Sequence, residues 1–197
     1  DYLVARLDKS EKDVFYLLDQ RVKGDIDYLP EEKVCYLPNS LLQRHKFYKA
    51  NKDRCLTVLC FGNFPPSVRL KAKVYTYFNN TCLFFCSDHF PVKEKVLYKI
   101  KSLIIRFFEK NTDHWLVQTE EVTKLFQAYW NVNENKIMEF PFFQPVESSV
   151  ENKKDKNTYV FISDGHPNKM HQQLLEGFAL AQKEFPDIKL YLTISKQ

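Results

Sequence analysis

Apolar residues come along this chain in short blocks, set apart by stretches rich in Asn, Pro and Lys, and the blocks alternate between strand-like and helix-like spacing. The pattern is densest from Asp113 to Phe143. Trp115-Leu116-Val117 is a compact apolar run closed by Gln118-Thr119 and reads as a strand. Thr119 suits a helix N-cap, and Glu120 and Glu121 follow where carboxylates favour the positive end of the helix dipole. Val122, Leu125, Phe126 and Tyr129 recur at helical spacing. Asn131 and Asn133 end the helix, and Lys136 to Phe140 forms a further strand before Pro141. Strand, helix and strand within about thirty residues make a parallel crossover, so the predicted class is α/β.

The same alternation runs through the rest of the chain. DYLVARLDK at residues 1–9 reads as the end of an amphipathic helix with Leu3, Val4 and Leu7 on one side, and such a start suggests an earlier strand and loop upstream. Strands are expected at Asp13–Gln20, Val34–Leu37, Cys55–Phe61 and Lys73–Phe78. CLTVLCF is the most uniformly apolar of them, which predicts a place at the centre of a parallel sheet. Ser40 caps a helix to Ala50 with Leu41, Leu42 and Phe47 turned inward; His45 lies on its basic face and reads as solvent-exposed. Past Phe143, QPVESSVENKKDKN has no periodicity and marks a domain boundary. The predicted division is a first domain over 1–143, a linker over 144–157 and the start of a second domain over 158–197. In that last part Tyr159–Ile162 and Ile188–Ile194 read as strands flanking a helix through Leu174, Phe178 and Ala181.

One helix has two readings. KEKVLYKIKSLIIRFFEK, over Lys93–Lys110, sets Val96, Ile100, Leu103, Ile104 and Phe107 in a stripe among six basic residues. The default is that the stripe packs on its own sheet and the lysines stay in water. The alternative is a peripheral contact of 93–110 with an anionic membrane surface.

Composition narrows the function classes. Hydrophobic content of 44% is enough for a packed core. The net charge of +4 is scattered, with no aromatic-basic platform, so nucleic-acid binding is set aside. Only four glycines are present, and neither GxGxxG nor GxxxxGK[ST] occurs, which speaks against an epimerase or kinase of the usual nucleotide-binding types. The five cysteines show no CxxC pair and no Cys/His ligand spacing; reduced, buried thiols and no metal site are expected.

Candidate chemistry sits at the strand ends. In open α/β sheets ligands bind beyond the carboxyl ends of the strands. Gln118 and Thr119 stand there, as do Asn79 and Asn80 after KVYTYF, and Asn63 in Gly62-Asn63-Phe64-Pro65-Pro66. Asparagine and glutamine amides donate and accept at once, which suits sugar hydroxyls. Ordinary strand-terminating turns fit the same residues. His89 is a further loop candidate, ranked below the asparagines. In the second domain, SDGHPNK places Gly165 and Lys169 between a strand and a helix, where a lysine near a helix N-terminus suits a diphosphate and a surface lysine fits equally.

Three stretches, in order, resemble family 4 glycosyltransferases, above all the bacterial surface-polysaccharide branch: VLCFGNFPPSVRLKAKVYTYFNN, HWLVQTEEVTKLFQAYWNVNENKIMEFPF and FISDGHPNKMHQQLLEGF. The resemblance runs from about Asp13 onward. It implies a GT-B architecture of two Rossmann-like domains, with the acceptor on the first and the sugar nucleotide mostly on the second. This chain would hold most of the first domain, without its first strand and glycine-rich loop, and only the opening βαβ of the second. The implied activity is retaining, metal-independent transfer of a sugar from a nucleotide-sugar to a glycan or lipid-linked glycan, in cell-surface polysaccharide synthesis. The cofactor expectation is none, the nucleotide-sugar being substrate, and the expected location is cytoplasmic, peripheral on the inner face of the membrane being the further option. By resemblance Lys169 falls on the lysine that contacts the donor's phosphates, with Gly165 beside it, and Asn63, Asn79, Asn80, Gln118 and Thr119 line the acceptor side. The two asparagines at 79 and 80 stand where the branch often has Gln-Asn and the wider family a histidine, so no general base is assigned. The piece alone is expected to be catalytically weak or inert. The reading from another class is a non-catalytic carbohydrate- or partner-binding module on one Rossmann-like domain; a phosphate-type lysine after a linker argues against it.

Overall fold

The computed structural model describes residues 2–10, 12–86, 88, 90–141, 155–165 and 169–194. The chain divides into a larger compact unit, Asp1–Phe84 with Lys99–Gln144, and a smaller one, Phe85–Tyr98 with Pro145–Gln197. No break in composition announces that Phe85–Tyr98 groups with the smaller unit. The expected 144–157 linker lies almost wholly outside the described residues.

Among the described residues every strand pairing is parallel, as expected for the α/β class. In the larger unit, helix α1 (Tyr2–Asp8) leads to strand β1 (Tyr16–Asp19), which pairs with β2 (Val34–Leu37). Helix α2 (Leu41–Ala50) then leads to a four-stranded sheet in the order β3 (Thr57–Phe61), β4 (Lys73–Phe78), β5 (His114–Val117), β6 (Ile137–Glu139). Helix α3 (Val92–Phe108) stands in the chain between β4 and β5, and α4 (Glu120–Leu125) between β5 and β6.

Position in the sheet explains burial. The two central strands carry the core, where Val74, Thr76, Phe78, Trp115 and Val117 are fully buried. β3 corrects the prediction of a central strand: it lies at an edge, and Leu59 and Phe61 are exposed. An edge strand can be as apolar as a central one, because which strand lies beside it is not a local property of its sequence. The larger unit's strands also fall into a pair and a set of four instead of one continuous sheet. Helix α2 touches both. Phe47 stacks on Phe15 at the entry to β1, with ring centroids 6.1 Å apart, while Tyr48 packs on Cys60 of β3. Ser40 caps α2 by accepting from the Gln43 N–H, as expected, but Leu41 and Leu42 point to solvent and only Phe47 of the three turns inward.

An aromatic cluster joins sheet to helix. The Phe78 ring meets Phe126 at 4.8 Å and Trp130 at 5.4 Å, both edge-on, and Trp115 lies 5.1 Å from Phe126. Edge-to-face pairs of this kind add to the gain from burial. The helix that carries Phe126 departs from regular α geometry. After Leu125 it widens into a π-turn over Phe126–Trp130 and ends at Asn131, which is left-handed at φ 51°. Regular spacing would turn Tyr129 inward; the wider turn exposes Tyr129 and buries Trp130 instead.

The smaller unit holds β7 (Thr158–Phe161), α5 (His171–Glu184) and β8 (Lys189–Leu192), one parallel βαβ crossover. The cysteine expectation is corrected in part. None of the five is disulfide-bonded, but only Cys60 is buried and Cys55 is exposed.

The aromatic cluster gives the first prediction. Phe126→Ala should lower unfolding stability by about 3–5 kcal/mol in urea denaturation, the usual cost of a truncated core aromatic. A loss below about 1 kcal/mol would show that the cluster does not hold α4 to the sheet.

Candidate functional site

Parallel register places the carboxyl ends of the four strands in one row. Phe61 is opposite Tyr77, Phe78 opposite Val117, and Val117 opposite Glu139. The residues just beyond are Asn63, Asn79 and Asn80, and Gln118 and Thr119, so all five sequence-predicted acceptor-side residues stand at one end of one sheet.

Asn63 ties the first two strand ends together. It is left-handed at φ 71°, a conformation that asparagine tolerates better than most residues. Its N–H donates to the Tyr77 carbonyl at 3.0 Å, and its Oδ1 accepts from the Asn79 N–H at 2.8 Å. The turn expected from Gly62 is thus made by Asn63 as well. Asn80 Oδ1 accepts from the Cys82 N–H at 3.1 Å and caps a short 3-10 helix, Thr81–Leu83. Both side-chain oxygens are used by backbone, which leaves the two amide NH2 groups as donors at the edge. The Asn79, Gln118 and Thr119 side chains are exposed. Thr119 holds the N-cap position of α4 through its backbone, without a side-chain capping bond.

Sequence reasoning missed Glu139. It ends β6 in the same row, exposed, with Oε1 accepting from Thr123 Oγ1 at 3.5 Å. A carboxylate at the last residue of the strand KIME was the available signal. Asp19 closes β1 in the same way. The Arg21 guanidinium donates to both its oxygens, at 2.9 and 3.0 Å, and with the Arg21 N–H holds its carboxyl at about 2.

Other groups are turned to structural use. Burial pushes the Cys60 thiol up to about 12, so it stays protonated at neutral pH and is no nucleophile. His45, expected in solvent, is half-buried, with Nδ1 3.0 Å from Ser67 Oγ. Asp113 lies at the opposite, amino end of β5; burial opposes its ionisation, but the Val74 N–H and Arg69 outweigh this and hold its carboxyl below the usual range. Among the described residues no group of three or more His, Cys, Asp and Glu is placed to hold a metal ion.

In the smaller unit, polar residues also gather past the strand ends. Ser163, following β7, donates its N–H to Thr193 Oγ1 at 3.1 Å, and its Oγ lies 3.0 Å from His171 Nε2. His171 opens α5 and was also missed; a histidine in the first turn after a strand-end serine was the signal. Lys169 is exposed two residues before it, next to Met170, which is left-handed at φ 52°. Gly165 has no steric need to be glycine, since an added Cβ would meet only Ile194 Cγ2 at 3.8 Å. The apolar hollow lined by Asn157, Tyr159, Phe178, Phe185 and Leu190 includes none of these groups among its lining residues. His89 and the residues 166–168 lie outside the described residues.

No family model matches the chain, and neither a curated protein nor a solved structure matches it.

The role of Asn63 can be separated into two parts. Asn63→Ala should cost about 1–2 kcal/mol, combining left-handed strain with the lost acceptor for the Asn79 N–H. Asn63→Gly keeps the backbone free and should cost about 1 kcal/mol less. Equal losses in chemical denaturation would show that the left-handed turn is not what asparagine supplies.

Proposed function

We propose that the chain is part of a retaining, metal-independent GT-B glycosyltransferase that moves a sugar from a nucleotide-sugar to a glycan or lipid-linked glycan acceptor. The three stretches that resemble surface-polysaccharide glycosyltransferases suggest the class. The observation that carries the reading is the row of Asn63, Asn79, Asn80, Gln118 and Thr119 at the carboxyl ends of an in-register parallel sheet, where such folds take their ligands. It is rich in neutral hydrogen-bonding groups and poor in positive charge, which suits a polyhydroxylated acceptor better than a phosphate.

In this reading the bond from the sugar's anomeric carbon to the diphosphate breaks, and a bond to an acceptor oxygen forms on the same face. The acceptor proton leaves with the departing phosphate oxygen, so no protein base is required. Lys169, in the smaller unit, offers positive charge to the leaving diphosphate as the oxocarbenium-like centre develops. The amide donors of Asn63 and Asn80 and the side chains of Asn79 and Gln118, in the larger unit, hold and orient acceptor hydroxyls. The reaction would take place in the cytoplasm, where nucleotide-sugars are made.

The test is thermal unfolding of the full-length protein that carries this chain with UDP-, GDP- and CMP-sugars, beside Lys169→Ala. A ligand at a hundred times its dissociation constant stabilises by about 2.7 kcal/mol, a rise of a few degrees. One nucleotide class should raise Tm, and the substitution should reduce that rise. Absence of a response to all three from folded protein would favour the non-catalytic binding module.

A further inference from the structure

The default expectation for α3, that its apolar stripe packs on its own sheet, is corrected by the structure. Val96, Ile100, Leu103 and Phe107 recur at three- and four-residue spacing on one face, and all are exposed; Leu103 is 61% and Phe107 69% accessible. The buried position is Ile105, two residues and about 200° round the helix from both Leu103 and Phe107. Tyr98, Ser102 and Phe108 share that inward side at intermediate exposure. So the helix is held by one side while its most apolar side faces water.

Charge decides what would cover that side. The helix carries five basic residues and a single acid, Glu94. Glu94 has a buried carboxylate oxygen, which places it on the inward side. Lys99 and Arg106 border the exposed stripe on one flank and Lys93 on the other, all three exposed. Just past the helix, Lys110 Nζ lies 5.8 Å from the Phe107 ring centroid. An apolar stripe bordered by cations and free of acids suits an interface whose outer layer is anionic and whose inner layer is hydrocarbon. Among the described residues no helix is long and apolar enough to cross a membrane.

We propose that α3 is a membrane-docking element, lying flat on a bilayer of anionic phospholipid with Ile100, Leu103 and Phe107 in the acyl boundary and Lys99, Arg106 and Lys110 at the headgroups. This goes beyond the sugar-transfer reading and does not depend on it, since only the residues of the helix and Lys110 make the contact.

The experiment is co-sedimentation of the chain with phosphatidylcholine vesicles, with and without phosphatidylglycerol, at low and high salt. Binding should need phosphatidylglycerol and weaken with salt. Leu103→Ser with Phe107→Ser should reduce partitioning at least tenfold. Lys99→Gln and Arg106→Gln should each reduce it about fivefold. All four side chains are exposed, so circular dichroism and Tm should stay as in the unsubstituted chain. Equal binding to neutral vesicles, or no binding to either, would overturn the proposal. So would concentration-dependent self-association that the serine substitutions abolish, which would make the face a contact between copies.

Discussion

Phe78 and Trp115 pack against Phe126 and Trp130, and this contact organises the larger unit. These rings bring together the two central strands and the helix that follows them. With β4 and β5 fixed there, parallel pairing sets β3 on one side and β6 on the other. The π-turn belongs to the same arrangement, since only the wider turn brings Trp130 rather than Tyr129 into the cluster. A buried hydroxyl pair, Thr76 and Thr112 at 2.8 Å, satisfies polar groups inside this core that would otherwise be costly.

The polar row is a consequence of that arrangement. Strands that run parallel and in register end together, so residues far apart in sequence arrive at one edge. Asn63 adds a direct side-chain tie from the end of β3 to the first residue past β4. Its oxygen is committed to the fold while its amide hydrogens are not, so a single side chain both shapes the edge and offers a donor. The smaller unit repeats the principle with Ser163, Thr193 and His171 beyond its two strands.

What could be read from sequence follows the range of the interactions involved. β2 and β4 match their predicted limits because each is a short apolar run with polar neighbours, a local property. The helix caps at Ser40 and Asn131 were equally legible, since they depend on residues one turn apart. Neighbour identity was not legible. CLTVLCF looks central but lies at an edge, and the α3 stripe looks like a core face but is exposed. Glu139 and His171 were missed for the same reason: each becomes notable only when register or a helix start places it beside other polar groups. The strand-end asparagines and glutamine could be singled out because they are visible in the sequence, although their sharing one edge is a fact of the fold.

The proposal that a sugar binds at the carboxyl edge of the four-stranded sheet is open to direct test. Selective asparagine labelling and side-chain amide NMR address it directly, with lactose, maltose and N-acetylglucosamine as ligands. Saturable shifts of the Asn63, Asn79 and Asn80 NH2 signals are expected. No change is expected for Asn111, buried and bonded to the Pro66 carbonyl, or for Asn51, bonded to the Phe47 carbonyl. Still signals at 63, 79 and 80 across the panel, or shifts confined to other asparagines, would contradict it.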